Sequence, residues 1–169
     1  MAGLAALNAA DAAWLRDEFL KCCHATRWAN QLAARRPFAA EADLFAAAEE
    51  IWWQMSTPDI LEAFAGHPRI GDLASLRARY ANTAGWAAGE QAGAAAASEE
   101  MLEALAAGNR AYEARFGHIF IVCATGKTAA EMLATLQARL PNGPDDELRV
   151  AAGEQAKITR IRLEKLLTS

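Results

Sequence analysis

Alanine recurs along this whole chain and stands four in a row at Ala94-Ala95-Ala96-Ala97. No residue has a higher helix propensity, because alanine loses no side-chain freedom on entering a helix. A chain so rich in it leans to helix wherever nothing interrupts, and the interruptions are legible as Pro, Gly and cap-forming residues. A first helix is expected from about Asn8, as N-cap, to Cys23, with Leu15, Phe19 and Cys22 on one face. A second covers Thr26 to Arg36 and stops at Pro37. A third runs from Ala40 to Met55 with Leu44, Ala48, Ile51 and Met55 on one stripe. Thr57-Pro58 reads as a cap followed by Pro at the first helical position, opening a short helix that ends at Gly66.

Beyond His67-Pro68, a short helix is expected from Asp72 to Tyr80, then a turn at Asn82-Thr83-Ala84-Gly85. Helix resumes near Trp86 or Ala87, breaks around Gly93 to Ser98, and restarts from a Ser98 cap to carry Met101, Leu102, Leu105, Tyr112 and Phe116. Phe116 to Gly126 is apolar, β-branched and bounded by glycines, but no second such run exists to pair with it. A buried connection with some helical character is expected there. Thr128 to Leu140 and Pro144 to Leu167 complete the series. With no repeat or long linker, residues 1–169 read as one all-α domain, a single compact bundle of about seven to nine helices.

Seventeen Lys and Arg against 21 Asp and Glu give a net charge of -4, and Arg35-Arg36 is too short to be a basic patch. Nucleic-acid binding, which needs concentrated cations, is therefore excluded as the leading class. No apolar run exceeds about ten large residues, so no segment suits a bilayer. Asp11, Arg16, Asp17 and Glu18 do not fit a secretory signal, and the expected location is cytoplasmic. Cys22, Cys23 and Cys123 are an odd set that suits reduced, structural thiols.

Ala124-Thr125-Gly126-Lys127-Thr128 looks like the end of a phosphate-binding loop, but Ile121 stands where its first glycine is needed. It reads better as a Thr128 cap. Cys22-Cys23-His24 lacks the second ligand pair of a metal shell, so no metal is expected. His67 follows a helix end at Gly66 and precedes Pro68; it is either a satisfied structural residue or, with a pKa near neutrality, an acid–base group. Glu90 sits near a helix start, where the dipole favours a carboxylate whatever its role. Arg162 lies between Ile158 and Leu166 on an apolar stripe and needs an acceptor, either a protein carboxylate or an anionic ligand.

Several segments in fixed order resemble the 2-oxo-4-hydroxy-4-carboxy-5-ureidoimidazoline (OHCU) decarboxylases. They are Cys22-Cys23 with Arg27-Trp28, Arg35-Arg36-Pro37-Phe38, Leu61-Glu62-Ala63-Phe64 and His67-Pro68-Arg69-Ile70-Gly71. Glu90-Gln91, Asn109, Tyr112 to Gly117 and Phe120 to Lys127 continue the series, which closes with Arg139-Leu140, Glu147-Leu148 and Lys157 to Leu163. His24 departs from it, standing where a small residue is commoner.

The resemblance implies a cofactor-independent carboxy-lyase that converts OHCU to (S)-allantoin in the third step of urate degradation. It implies that His67 is the essential acid–base residue, that Glu90 acts beside it, and that Pro68 shapes the site. Gln91 and Ala87 would contact substrate, backbone groups of Phe120, Ile121, Val122, Cys123 and Ala124 would hold the ring, and Arg162 would pair with substrate oxygen. It further implies a homodimer. The alternative is a helical ureide-binding or regulatory module without turnover, which would share the pocket but not catalysis.

Overall fold

Which residue begins each helix is decided by side chains that satisfy the first, unpaired backbone N–H groups. The computed structural model describes residues 3–68, 72–80 and 88–169, with the backbone alone for 88–98. Among these residues nine helices follow in order: α1 Gly3–Ala9, α2 Ala12–Cys22, α3 Thr26–Ala34, α4 Glu41–Trp53, α5 Thr57–Ala65, α6 Leu73–Tyr80, α7 Ala88–Phe116, α8 Ala129–Arg139 and α9 Pro144–Thr168. The all-α expectation is met.

Three expected helix boundaries are corrected. The first helix is two, because Asp11 and not Asn8 is the cap: its Oδ2 accepts the Trp14 N–H at 3.0 Å. Asn8 is engaged elsewhere, accepting from the Phe38 N–H and donating to the Phe38 carbonyl, both at 2.9 Å. Ser56, rather than Thr57, caps α5 in a reciprocal box with Asp59. Third, α7 runs unbroken through Gly93 and Ser98. One helical glycine costs about 1 kcal/mol against alanine, which the adjoining alanine run offsets.

The chain falls into two compact units. The first comprises Met1–His67, Ile121–Cys123 and Val150–Ser169. Its core is built from Leu7, Leu15, Phe19, Trp28, Leu32, Leu44, Ile51, Phe64 and Leu163, each at most 1% exposed. Burying each such large side chain contributes roughly 1.5–3 kcal/mol. Two indoles tie helices by their N–H groups: Trp28 Nε1 donates to the Ala48 carbonyl and Trp52 Nε1 to the Ala152 carbonyl, each at 2.9 Å. The expected stripe of Leu44, Ala48, Ile51 and Met55 is buried.

The second unit comprises Pro68–Phe120 and Ala124–Arg149. Leu76, Leu102, Leu105, Tyr112, Met132 and Leu136 are buried in it, around an ionic cluster. Arg139 meets the Glu147 carboxylate at 2.5 Å, and Glu147 also accepts from the Tyr112 hydroxyl at 2.5 Å and Asn142 Nδ2 at 3.0 Å. The Phe120 ring is held from the same cluster, 4.6 Å from the Arg139 guanidinium and 5.2 Å from the Tyr112 ring.

Residues 117–128 contain no helix and no strand, so the expected helical character is absent. Gly117 at φ 77° and Gly126 at φ 74° bracket the stretch in a left-handed conformation that a side chain disfavours. The Ala124 carbonyl accepts the Lys127 N–H at 3.1 Å in a turn, and Thr128 caps α8 by accepting the Glu131 N–H.

Candidate active site

His67 is placed by the end of α5. Gly66 caps that helix with φ −76° and ψ −11°, an ordinary right-handed conformation, and the His67 N–H still bonds the Phe64 carbonyl at 3.2 Å. Gly66 is therefore not needed for an unusual backbone conformation. It supplies space: a side chain there would strike His24.

In front of His67 lies a cavity of about 410 Å³ lined by Leu20, Lys21, His24, Ala63, Gly66, His67 and Arg162. That volume suits a small ligand. Among the described residues no carboxylate lines it, whereas two fixed cations and two imidazoles do. Lys21 is already paired with Glu18 at 2.5 Å. Arg162 is half-buried; its Nη1 donates to the Lys21 carbonyl at 3.2 Å, and it ion-pairs with no carboxylate among the described residues. An unpaired guanidinium in such a place is disposed to take an anion.

Among the described residues the imidazole of His67 is bonded on one side only, Nε2 meeting the Gln155 side-chain oxygen. Burial holds its pKa below the ordinary value, and the positive charge of Arg162 adds to this against the opposing hydrogen bond from Gln155. His67 is therefore neutral at physiological pH and able to accept a proton. The neighbouring thiols differ. Burial pushes Cys22 and Cys23 up to about 12, which leaves both as inert thiols.

His67 and Arg162, distant in sequence, thus meet at one cavity. Ile121, Val122 and Cys123 belong to the same unit, anchored by a Cys123 N–H bond to Glu154 Oε1 at 3.2 Å. Pro68, Phe120 and Ala124 belong to the second unit. Glu90 and Gln91 fall in the first turn of α7, with side chains outside the described residues, and Ala87 lies outside them altogether. Among the described residues no group of three or more His, Cys, Asp or Glu is arranged to hold a metal ion. Gln155 and Thr159 were missed in the sequence. Their signal was spacing: Gln155, Thr159 and Arg162 share one face of α9.

The fold and the cavity define a helical protein that brings a histidine and an arginine to one small cavity. The chain belongs to the OHCU decarboxylase family, whose model matches residues 8–164. Uric acid degradation bifunctional protein TTL of Arabidopsis thaliana is 40% identical over 156 residues, covering 90% of this chain and 47% of that protein. Uric acid degradation bifunctional protein PucL of Bacillus subtilis (strain 168) is 28% identical over 163 residues, covering 96% and 32%. The chain thus spans less than half the length of these curated relatives. A crystal structure of an OHCU decarboxylase in the presence of (S)-allantoin matches with a TM-score of 0.71 at 38% identity, covering 89% of this chain and 97% of that one.

Proposed function

We propose that this chain, as one decarboxylase domain, converts OHCU to (S)-allantoin, and that His67 carries the proton transfer. The observation behind this reading is that His67 and Arg162 line one cavity in a chain of this family. Arg162 neutralises substrate oxygen. The bond from the ring to the carboxylate breaks and its electron pair enters the adjacent imine, whose nitrogen takes a proton from solvent. The enol left behind gives its hydroxyl proton to neutral His67, and His67 delivers a proton to the ureido-bearing carbon on one face. Carbon dioxide and a single enantiomer result. The protein's share is orientation and placement of charge where charge develops.

Glu90 orients the hydroxyl and Gln91 bonds substrate polar groups. Ala87 and Pro68 shape the wall, and backbone groups of residues 120–124 hold the ring. These roles rest on the family resemblance, as does our reading of the protein as a homodimer without a cofactor.

The test is to generate OHCU from urate with the two upstream enzymes, add the protein, and follow circular dichroism. Optically active (S)-allantoin should form faster than by spontaneous decay. A rate equal to spontaneous decay, with binding of allantoin retained, would leave only a ureide-binding module. Full activity in a folded His67→Ala variant would overturn the assignment of the proton carrier.

A further inference from the structure

Behind His67, three side chains form a hydrogen-bonded line. His67 Nε2 meets Gln155 Oε1, and Gln155 Nε2 donates to Thr159 Oγ1 at 3.0 Å. Gln155 is 0% and Thr159 6% exposed, so neither exchanges these partners for water. The line runs in one direction. The Gln155 amide gives its N–H to the Thr159 hydroxyl oxygen and turns its carbonyl oxygen to His67. An oxygen of that kind only accepts, so Nε2 carries the ring proton.

We propose that Gln155 and Thr159 are positioning residues that hold His67 as its Nε2–H tautomer and leave Nδ1 as the nitrogen that exchanges protons with substrate. Nδ1 has no hydrogen-bond partner among the described residues. The tautomer of a catalytic histidine is set by whatever its other nitrogen bonds, and a wrong tautomer presents a proton where a lone pair is needed. The second half of the proposal, the role of Nδ1, rests on the reading of His67 as the proton carrier. The charged and titratable groups that share the cavity with His67 are Arg162 from α9, Lys21 from α2 and His24 beyond it.

The test begins without substrate. In protein labelled with 15N-histidine, long-range 1H–15N spectra above the titration of His67 distinguish the two tautomers, and a His67→Ala variant assigns the signal. An Nε2–H pattern is expected; an Nδ1–H pattern overturns the proposal while leaving decarboxylation untouched. Gln155→Leu should mix the tautomers and lower kcat on the order of 10²-fold, with KM little changed. Gln155→Glu keeps an acceptor for Nε2–H, so it should restore much of kcat and move the acid limb of the pH profile upward, since a carboxylate favours the imidazolium. Unchanged tautomer and kcat in a folded Gln155→Leu would sink the idea. Should that variant not fold, the wild-type spectrum still decides. An inactive protein with the Nε2–H pattern would reject the proton-carrier reading and the role of Nδ1, and keep only the tautomer hold.

Discussion

Gly66 is without a side chain where His24 fills the space: a β-carbon at Gly66 would lie 2.6 Å from the His24 Cγ and 2.9 Å from its Cδ2. The nearest atom is the His24 Cβ, which no rotation of the side chain moves. Gly66→Ala should therefore lower stability by about 1–3 kcal/mol, the usual cost of overpacking. Urea denaturation measures this, and His24→Gly in the same chain should recover part of it. Additive effects in that double-mutant cycle would show that the two positions do not press on each other.

His67 supplies a pH prediction whose sign follows from its environment. Burial holds the folded-state pKa below the ordinary 6.5, so below pH 6.5 the unfolded chain binds a proton that the folded chain resists. Stability is thus present above that value and is lost as pH falls from 6.5 toward the lowered pKa. Comparing the pH dependence of unfolding in the native protein with that of His67→Gln isolates the contribution. A variant with the same acid slope would contradict it.

Arg162 has no protein carboxylate to orphan among the described residues, so Arg162→Ala should cost little stability. Its effect should fall on substrate: a charge-assisted hydrogen bond contributes about 1.5–3 kcal/mol, which predicts a loss of roughly tenfold or more in kcat/KM. The His67 pKa should rise as the adjacent positive charge is removed. Steady-state kinetics across pH would show both; a large loss of fold with normal KM would speak against a ligand role.

The Arg139–Glu147 pair makes the opposite prediction. Arg139 is 6% exposed and Glu147 0% exposed. Arg139→Met leaves a buried carboxylate without its cation, which should cost about 3–5 kcal/mol. Replacing both at once with apolar residues should cost less than that single change. Denaturation midpoints of the single and double variants would separate the cases.

Much of this architecture can be read from the chain because alanine and the caps act locally. Pro144 and Thr128 mark helix starts within a residue of where they occur. Asn8 and Asp11 were confusable because both are good caps three residues apart, and only the distant Phe38 backbone shows which one is already engaged. His67 stood out by following a helix stop, and Arg162 by interrupting an apolar stripe. Gln155 and Thr159 did not, since neutral polar residues on a helix look like a solvated face. Their meaning depends on His67, 88 positions before Gln155.

Trp28 and Trp52, buried with their indole N–H groups bonded to carbonyls, and the half-exposed Trp14 and Trp53 all lie in the first unit. Of the five tryptophans only Trp86 stands elsewhere, outside the described residues. The protein therefore carries a built-in optical label weighted toward the unit that holds the His67 cavity. Intrinsic fluorescence follows chiefly that unit, while far-ultraviolet dichroism sums every helix. Melting the protein with both signals recorded together would reveal whether the cavity and the remaining helices come apart at one temperature or at two.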